Sequence, residues 1–398
     1  MAIKLFHSGQ AGAPNLRGQN GSLITMLDAV LQDGYNTVSV SSIVRVGTTA
    51  TATTAVAHGL LTGDSALVSG AVETDYNIDA VITVLTSTTF TYTVANAPAT
   101  PATGTIFVKR APAGFAKAFS GTNKAAYRSN DVTGTRPYLQ IIDDGTLAGG
   151  GREAKVRGYL TMSDVDTGAE PFPTAAQYAN GLVAYKSGTA DATNRPWVLI
   201  TDGKVFYLQT CMDQSPTSLQ ASGGYLWWLA FGDILSTRPS DPYKAFLAAN
   251  SVANQMTSGS SNSNSNGFMV PAVRTATPTG PSCYIVRSFT QVSGAVIMNQ
   301  LGHGWDQTAL GSLNIFTNPH PPDNGFMVTP ITCMQGGVRR GKMPGVYEPM
   351  QGRVLNQFDT VEDIDGLSGR KLICLWGQNA SAASTTGSLL FDLTGPWS

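Results

Sequence analysis

The chain has 398 residues, with 25 Lys and Arg against 26 Asp and Glu, for a net charge of −1. That length allows two or three domains and a substantial core without covalent staples. The neutral balance excludes a global field that would gather nucleic acid or anionic lipid. Charged residues make up only 13% of the chain, well below the roughly 25% of ordinary globular domains. Such a surface is solvated by Ser, Thr, Asn and Gly or covered by other subunits, and partial coverage is the expectation. Cys211, Cys283, Cys333 and Cys374 are far apart and form no Cys-x-x-Cys pair, which reads as buried thiols. The N-terminus, Met1 to Ser8, lacks the apolar core of a signal peptide, and no run approaches the ~20 apolar residues of a membrane span.

In chain order, Gly9 to Gly21 is rich in Gly, Asn and Ala and reads as an extended arm. It has too few apolar residues to fold alone, so it is expected to become ordered along a neighbouring subunit. Ser22 to Asp33 is the best helix: Leu23, Met26, Leu27, Val30 and Leu31 form one stripe. Ser22 is its expected N-cap, and Gly34 takes the left-handed position after its last turn. From Thr37 to Arg110 the pattern changes to short strands. In Thr86 to Val94, Phe90, Tyr92 and Val94 alternate with Thr89, Thr91 and Thr93, placing rings on a core and threonines on water. Ser42 to Val46, Ala50 to Val56, Ser65 to Val68, Ala80 to Leu85 and Gly104 to Val108 complete a small antiparallel sandwich or barrel.

Beyond the insert, Arg136 to Asp144 and Val156 to Met162 read as strands, and Pro171 to Asn180 as a short helix closed by Gly181. Trp197 to Thr201 and Val205 to Thr210 flank Asp202-Gly203, the dipeptide of a tight hairpin. Tyr225 to Phe231 is apolar on both faces and reads as the central strand. Asp241-Pro242 is expected to start a helix through Ala253, the aspartate as cap and the proline in the first turn. Ser258 to Asn266 is a polar loop, and Ser282 to Phe289, Ala295 to Met298, Gly325 to Thr329, Leu372 to Trp376 and Ser388 to Leu393 are further strands. The fold class is therefore mainly β: a β-sandwich-like larger domain with two or three short helices, plus a small inserted antiparallel β-module.

Ala57-His-Gly-Leu60, Thr62-Gly-Asp64, Val68-Ser-Gly70, Tyr76-Asn77, Thr88-Thr-Phe-Thr-Tyr92 and Pro101-Ala-Thr-Gly-Thr105 resemble the FCCH-like insert that recurs in phage virion proteins. The resemblance implies a structural module without ubiquitin chemistry. A second resemblance runs along nearly the whole chain. Phe6-His-Ser-Gly9 with Gly12-Ala-Pro14, Phe119 to Lys124 with Tyr127-Arg-Ser129, Met162 to Asp166, and Gly387 to Trp397 are similar to blocks of an uncharacterised prophage-type family of tailed-phage virion proteins. In that family the stretch before the insert continues into the stretch after it. Residues 1–36 and 111–398 are thus expected to form one discontinuous domain, interrupted by 37–110.

Short motifs that resemble chemistry all have plainer readings. Asp164-Val-Asp-Thr-Gly168 fits a phosphatase-type motif only loosely, without a buried parallel strand end or a matching lysine and acidic pair. Asp166-Thr-Gly168 resembles an aspartic-protease triplet but has Asp164 where an apolar side chain belongs. A turn with hydrogen-bonded aspartates is the better reading. His7, His58, His303 and His320 are scattered, so no metal site is expected, and Gly302 to Asp306 reads as a turn with a packed Trp305. Gly149 to Arg152 lacks the ending of a phosphate loop. Val338-Arg-Arg-Gly-Lys342 is a local basic spot expected to pair with carboxylates, and Glu362, Asp363 and Asp365 a solvated loop. Trp227, Trp228, Trp305, Trp376 and Trp397 are core candidates. Trp227 and Trp228 must face opposite sides of a strand, and a partner covers any side this chain leaves bare.

The expectation is a non-enzymatic structural component of a bacteriophage particle, tail-associated at the tube end, collar or baseplate. A capsid decoration protein, or a tail protein that binds the host surface or carbohydrate, is the alternative. No catalytic residue, cofactor or metal is expected. The expected partners are other virion proteins and further copies in a symmetric ring or lattice, with no membrane and no specific nucleic acid, and the expected location is the virion.

Overall fold

A computed structural model describes residues 2–212, 226–238, 240–249, 282–292, 294–301, 326–335, 337–349, 355–376 and 388–397. Its centre is set by four antiparallel strands that are apolar on both sides: Trp197–Thr201, Phe206–Cys211, Leu226–Asp233 and Ala245–Ala249. Every residue in them is buried. Alternate side chains point to opposite faces of a strand, so two separate cores grow from one sheet. Trp197, Leu199, Phe206, Leu208, Leu229, Phe231 and Leu247 enter the first core, whereas Val198, Ile200, Tyr207, Trp228, Ala230 and Phe246 enter the second. The register keeps like faces together, with Leu199 opposite Leu208, Leu208 opposite Leu229 and Phe231 opposite Leu247. The expected Asp202-Gly203 turn joins the first two strands, and Asp202 Oδ1 accepts the amides of Lys204 and Val205.

These strands belong to a 13-stranded antiparallel sheet. The N-terminal strand Lys4–His7 pairs with Trp197–Thr201 at one edge. On the other side the sheet continues through Ser282–Ile285, Val296–Leu301, Val328–Gln335 and Val338–Pro349 to Ser388–Asp392, Lys371–Trp376 and Thr360–Glu362. This far half packs over the second face of the central strands. Met343, Val346, Leu372, Cys374, Leu389, Phe391 and Trp397 fill the space between. His7 and Phe358, from opposite ends of the sheet path, bring their rings to 6.1 Å.

The first face is covered by a helix and a six-stranded sheet. That sheet contains Phe115–Gly121, Lys124–Ser129, Tyr138–Ile142, Glu153–Met162, Gly168–Phe172 and Leu182–Tyr185. Leu139, Ile141, Val156 and Leu182 meet the helix stripe Leu23, Met26, Leu27, Val30 and Leu31 in the first core. The helix is α over Ser22–Leu27 and continues as wider π turns over Asp28–Asp33. Ser22 does not cap it. Gly21 stands at the cap position, and Ser22 Oγ accepts the Arg17 amide instead. The cap is remote in sequence: Asp143 Oδ2 accepts the Leu23 amide at 2.9 Å. Gly34 has φ +73°, and a Cβ there would lie 2.4 Å from the Arg110 carbonyl oxygen.

Two further expectations change. Asp241 starts a turn rather than a helix, with Oδ1 accepting the Tyr243 amide, and Ala245–Ala249 is a strand. The apolar run Ala-Phe-Leu-Ala-Ala is buried on both faces, and that burial overrides its helix propensity. Residues 250–253, like Ser258 to Asn266, lie outside the described residues. Pro171 and Phe172 complete a strand, and the expected helix shrinks to one turn in which Tyr178 donates to the Thr174 oxygen. The arm docks along its own chain. Leu16 is fully buried, Trp197 Nε1 donates to the Pro14 oxygen at 3.0 Å, and the Arg195 amide donates to the Leu16 oxygen at 2.7 Å.

Residues 35–110 build a seven-stranded sheet with its own core of Ile43, Ala52, Val68, Tyr76, Phe90, Tyr92, Val94 and Val108. Its two edges are Asp79–Val81 and Thr83–Thr86, consecutive pieces of chain with buried Ile82 between them. One bent stretch thus pairs with Ser65–Ala71 on one side and Thr89–Thr93 on the other, which closes the sheet into a small barrel. The two ends of the module are strand partners, with Tyr35 opposite Arg110.

Leu27 is fully buried beneath the helix. Leu27→Ala is expected to destabilise the protein by about 2–5 kcal/mol through lost transfer energy and a residual cavity, read as a lower midpoint in urea unfolding at unchanged slope.

Candidate functional site

The barrel meets the rest of the chain through a polar junction. Arg110 is buried and pairs with Asp64 at 2.8 Å, and its guanidinium stands 5.9 Å from the Tyr35 ring centre. Lys4, on the edge strand of the large sheet, pairs with Asp79 of the barrel and donates to the Pro112 oxygen at 2.7 Å. Tyr35 donates to Gln10, and Asn36 Nδ2 donates to the His58 oxygen at 2.7 Å. Burial pushes the Tyr35 phenol well above its ordinary range, opposed by the Arg110 charge. His7 is pushed down, first by burial and then by the Arg110 charge, with Asp64 opposing. Gly59 has φ +63°, and a Cβ there would reach Ala11 at 2.5 Å, so barrel and arm touch directly. His58 is buried within the barrel, its Nε2 donating to the Thr86 oxygen and its Nδ1 accepting the Leu60 amide. Those bonds fix a turn.

Part of the outer face of the barrel is lined by threonines. Thr51 lies opposite Val44 and Thr91, Thr91 opposite Thr83, and Thr53 opposite Thr89. Val46, Leu61, Val72 and Leu85 are exposed at 58–84%.

The charged motifs singled out from sequence go to separate places. Asp164 and Asp166 lie in the turn after Glu153–Met162. Asp164 Oδ1 accepts the Asp166 amide, which holds the Asp164 carboxyl below its usual range, while Asp166 pairs with Lys124 at 2.7 Å. The two are an exposed turn, not a strand-end nucleophile with a partner. Within the basic spot, Arg340 is buried and saturated. It pairs with Asp241 at 3.0 Å and donates to the Arg287 oxygen, the Tyr243 oxygen and Gln335 Oε1. Arg287 in turn pairs with Glu170, tying the large sheet to the six-stranded one, and its guanidinium covers the Tyr243 ring at 4.6 Å. Glu362 pairs with Lys371 at 2.8 Å on the surface. Gly302 to Asp306, with His303 and Trp305, and His320 lie outside the described residues. Gly150–Arg152 forms a single 3₁₀ turn.

The tryptophans are packed. Trp228 stacks with Phe391 at 5.5 Å in the second core, and Trp227 meets Tyr185 at 4.3 Å on the opposite face. Trp376 and Trp397 also join the second core. All four cysteines are buried, and burial pushes the Cys333 thiol up to about 12. Among the described residues no three His, Cys, Asp or Glu converge as a metal site. No helix among them is long and apolar enough to cross a membrane.

Sequence reasoning missed a cleft of about 390 Å³ against the second core, lined in part by Lys342, Met343, Tyr347, Asp365, Arg370 and Trp397. Arg370 is neutralised by Asp392 at 2.8 Å, and Lys342 and Asp365 carry opposite charges, so the cleft has no strong field of either sign. Burial, helped by Asp392, raises the Tyr347 phenol. No local signal points to it, because its walls come from segments more than 100 residues apart.

A scan against models of protein families found no match, and no curated protein matches the chain. Among solved structures, that of a phage phi92 endosialidase aligns with 90% of this chain and 51% of its own, at 12% identity and a TM-score of 0.15. The chain therefore spans about half the length of that protein. A superposition of that quality defines neither fold nor activity.

Two substitutions separate the exposed pair from the buried one. Asp166→Asn is expected to change stability by less than about 0.5 kcal/mol. Arg340→Ala is expected to cost about 3–5 kcal/mol, since it removes the counter-charge of Asp241 and four hydrogen bonds. Paired urea titrations check both.

Proposed function

We propose that this chain is a structural component of a tailed-phage particle, placed in the tail at the tube end, collar or baseplate. It acts through repeated contacts between copies and with other virion proteins, not through catalysis. The observation that carries the reading is the inserted barrel. It has its own core, closes on itself, is tethered through adjacent ends and carries an outward face of threonines with Val44 and Val46. That is the form of a module presented for contact. The same residues resemble the FCCH-like insert of phage virion proteins, and blocks from Phe6 to Trp397 resemble a virion family.

Charge distribution favours the same reading. Arg110, Lys186, Arg195 and Arg340 are buried in ion pairs inside the molecule. What remains outside is poor in charge, and such a surface loses little hydration when a neighbour covers it. Repeated contacts of one patch then build a closed ring or lattice.

The test is localisation in the intact particle. Virions purified from a producing host are expected to contain the chain in fixed stoichiometry. Antibody against residues 37–110 should label the tail in electron microscopy. Label over the capsid shell would replace the tail assignment by a capsid decoration role, and absence of the chain from purified virions would overturn the reading.

A further inference from the structure

Lys186 and Asp143 are fully buried and in direct contact. Each is pinned by its backbone. Asp143 follows the strand Tyr138–Ile142, and its amide donates to the Asn123 oxygen at 2.8 Å. Lys186 follows Leu182–Tyr185, and its amide donates to the Arg152 oxygen at 3.0 Å. Both side chains emerge on the first-core side, where the alternation of Leu139, Ile141 and then 143 meets that of Leu182, Ala184 and then 186. The remaining contacts are few and specific. Asp143 Oδ2 accepts the Leu23 amide at 2.9 Å, and Lys186 Nζ donates to the Gln19 oxygen at 2.5 Å.

The geometry points to an intramolecular isopeptide bond between Lys186 Nζ and Asp143 Cγ, formed by the folded chain without a partner. The inference rests on the buried pair alone and is independent of the proposed function.

Burial favours the neutral form of each group. It pushes the Asp143 carboxyl up to about 6 against the pull of Lys186, and it pushes the Lys186 ammonium down. Proton transfer from the ammonium to Oδ1 gives an amine facing a carboxylic acid. The Nζ lone pair then adds to Cγ, making the N–C bond and a tetrahedral carbon. The Leu23 amide donates to Oδ2, the oxygen on which negative charge develops. A proton from Nζ passes to the Oδ1 hydroxyl, the Cγ–Oδ1 bond breaks, and Oδ1 leaves as water. The carbonyl re-forms at Oδ2. The one hydrogen left on Nζ keeps its acceptor, the Gln19 oxygen. No oxidant, reductant or cofactor enters the balance. Amide formation is unfavourable between dilute groups in water. Fixed, desolvated neighbours reach effective concentrations of about 10⁵–10⁸ M. The bond would join the two strands that flank Glu153–Met162 and lock the arm beside them.

Intact mass of the denatured full-length chain decides the matter. The expected mass is one water below that of the sequence, with a branched proteolytic peptide that carries both Asp143 and Lys186. Lys186→Arg removes the nucleophile and is expected to restore the full mass. A wild-type chain at its full sequence mass, with both peptides linear, would overturn the inference. So would a water loss that persists in Lys186→Arg, which would assign it to another reaction, such as succinimide formation at Asp144-Gly145.

Discussion

The structure depends on burying one sheet from both sides. Four central strands carry large apolar side chains on both faces, so neither face can be left to water. Each fully buried Leu or Phe is worth about 1.5–3 kcal/mol, and eleven Leu, Phe and Trp side chains leave these four strands in two directions. Everything else in the larger body is cover. The helix and six-stranded sheet close one face, and the far half of the same sheet closes the other. Because the second cover belongs to the sheet it covers, the first and last strands end up close together, with His7 beside Phe358.

The few charges of the chain reinforce this layering. Glu170 with Arg287 ties the six-stranded sheet to the large one, and Lys186 with Asp143 ties the same sheet to the arm. Arg195 is held by Asp191 and Ser187 next to the arm's only bridge, at Leu16. Lys4 with Asp79 seats the barrel on the large sheet, and Arg110 with Asp64 braces the barrel from within. Buried pairs of this kind contribute little net stability but penalise wrong arrangements heavily. A β-rich chain with many similar strands gains register and layer order from them, and its surface is left neutral.

Period-two alternation made the barrel legible in sequence. Phe90, Tyr92 and Val94 are buried, and their threonine neighbours face outward. The helix stripe and the Asp202-Gly203 hairpin were legible for the same reason, that the signal is local. Long-range physics hid the rest. Asp241-Pro242 carries a good helix start, yet the following Ala-Phe-Leu run is claimed by sheet pairing on both edges. The cap of the first helix is Asp143, 120 residues from Leu23. The arm has almost no apolar content, and its order comes from backbone groups pairing with Trp197, Arg195 and Asp143. Such partners cannot be read from the arm itself. The cleft beside Trp397 is equally silent, since five separate segments build it.

A two-cored body supports a closed barrel with a core of its own and a threonine-lined outer face. The body's rigidity rests on the two-sided burial of the central strands, and native-state hydrogen exchange measures that directly. Amides of Val198 to Ile200, Tyr207, Leu208 and Leu229 to Phe231 are expected to be the slowest in the chain, exchanging only through global unfolding. Exchange of these amides as fast as that of the edge strand Phe115–Gly121 would mean that one face of the sheet opens to water. That result would contradict the account.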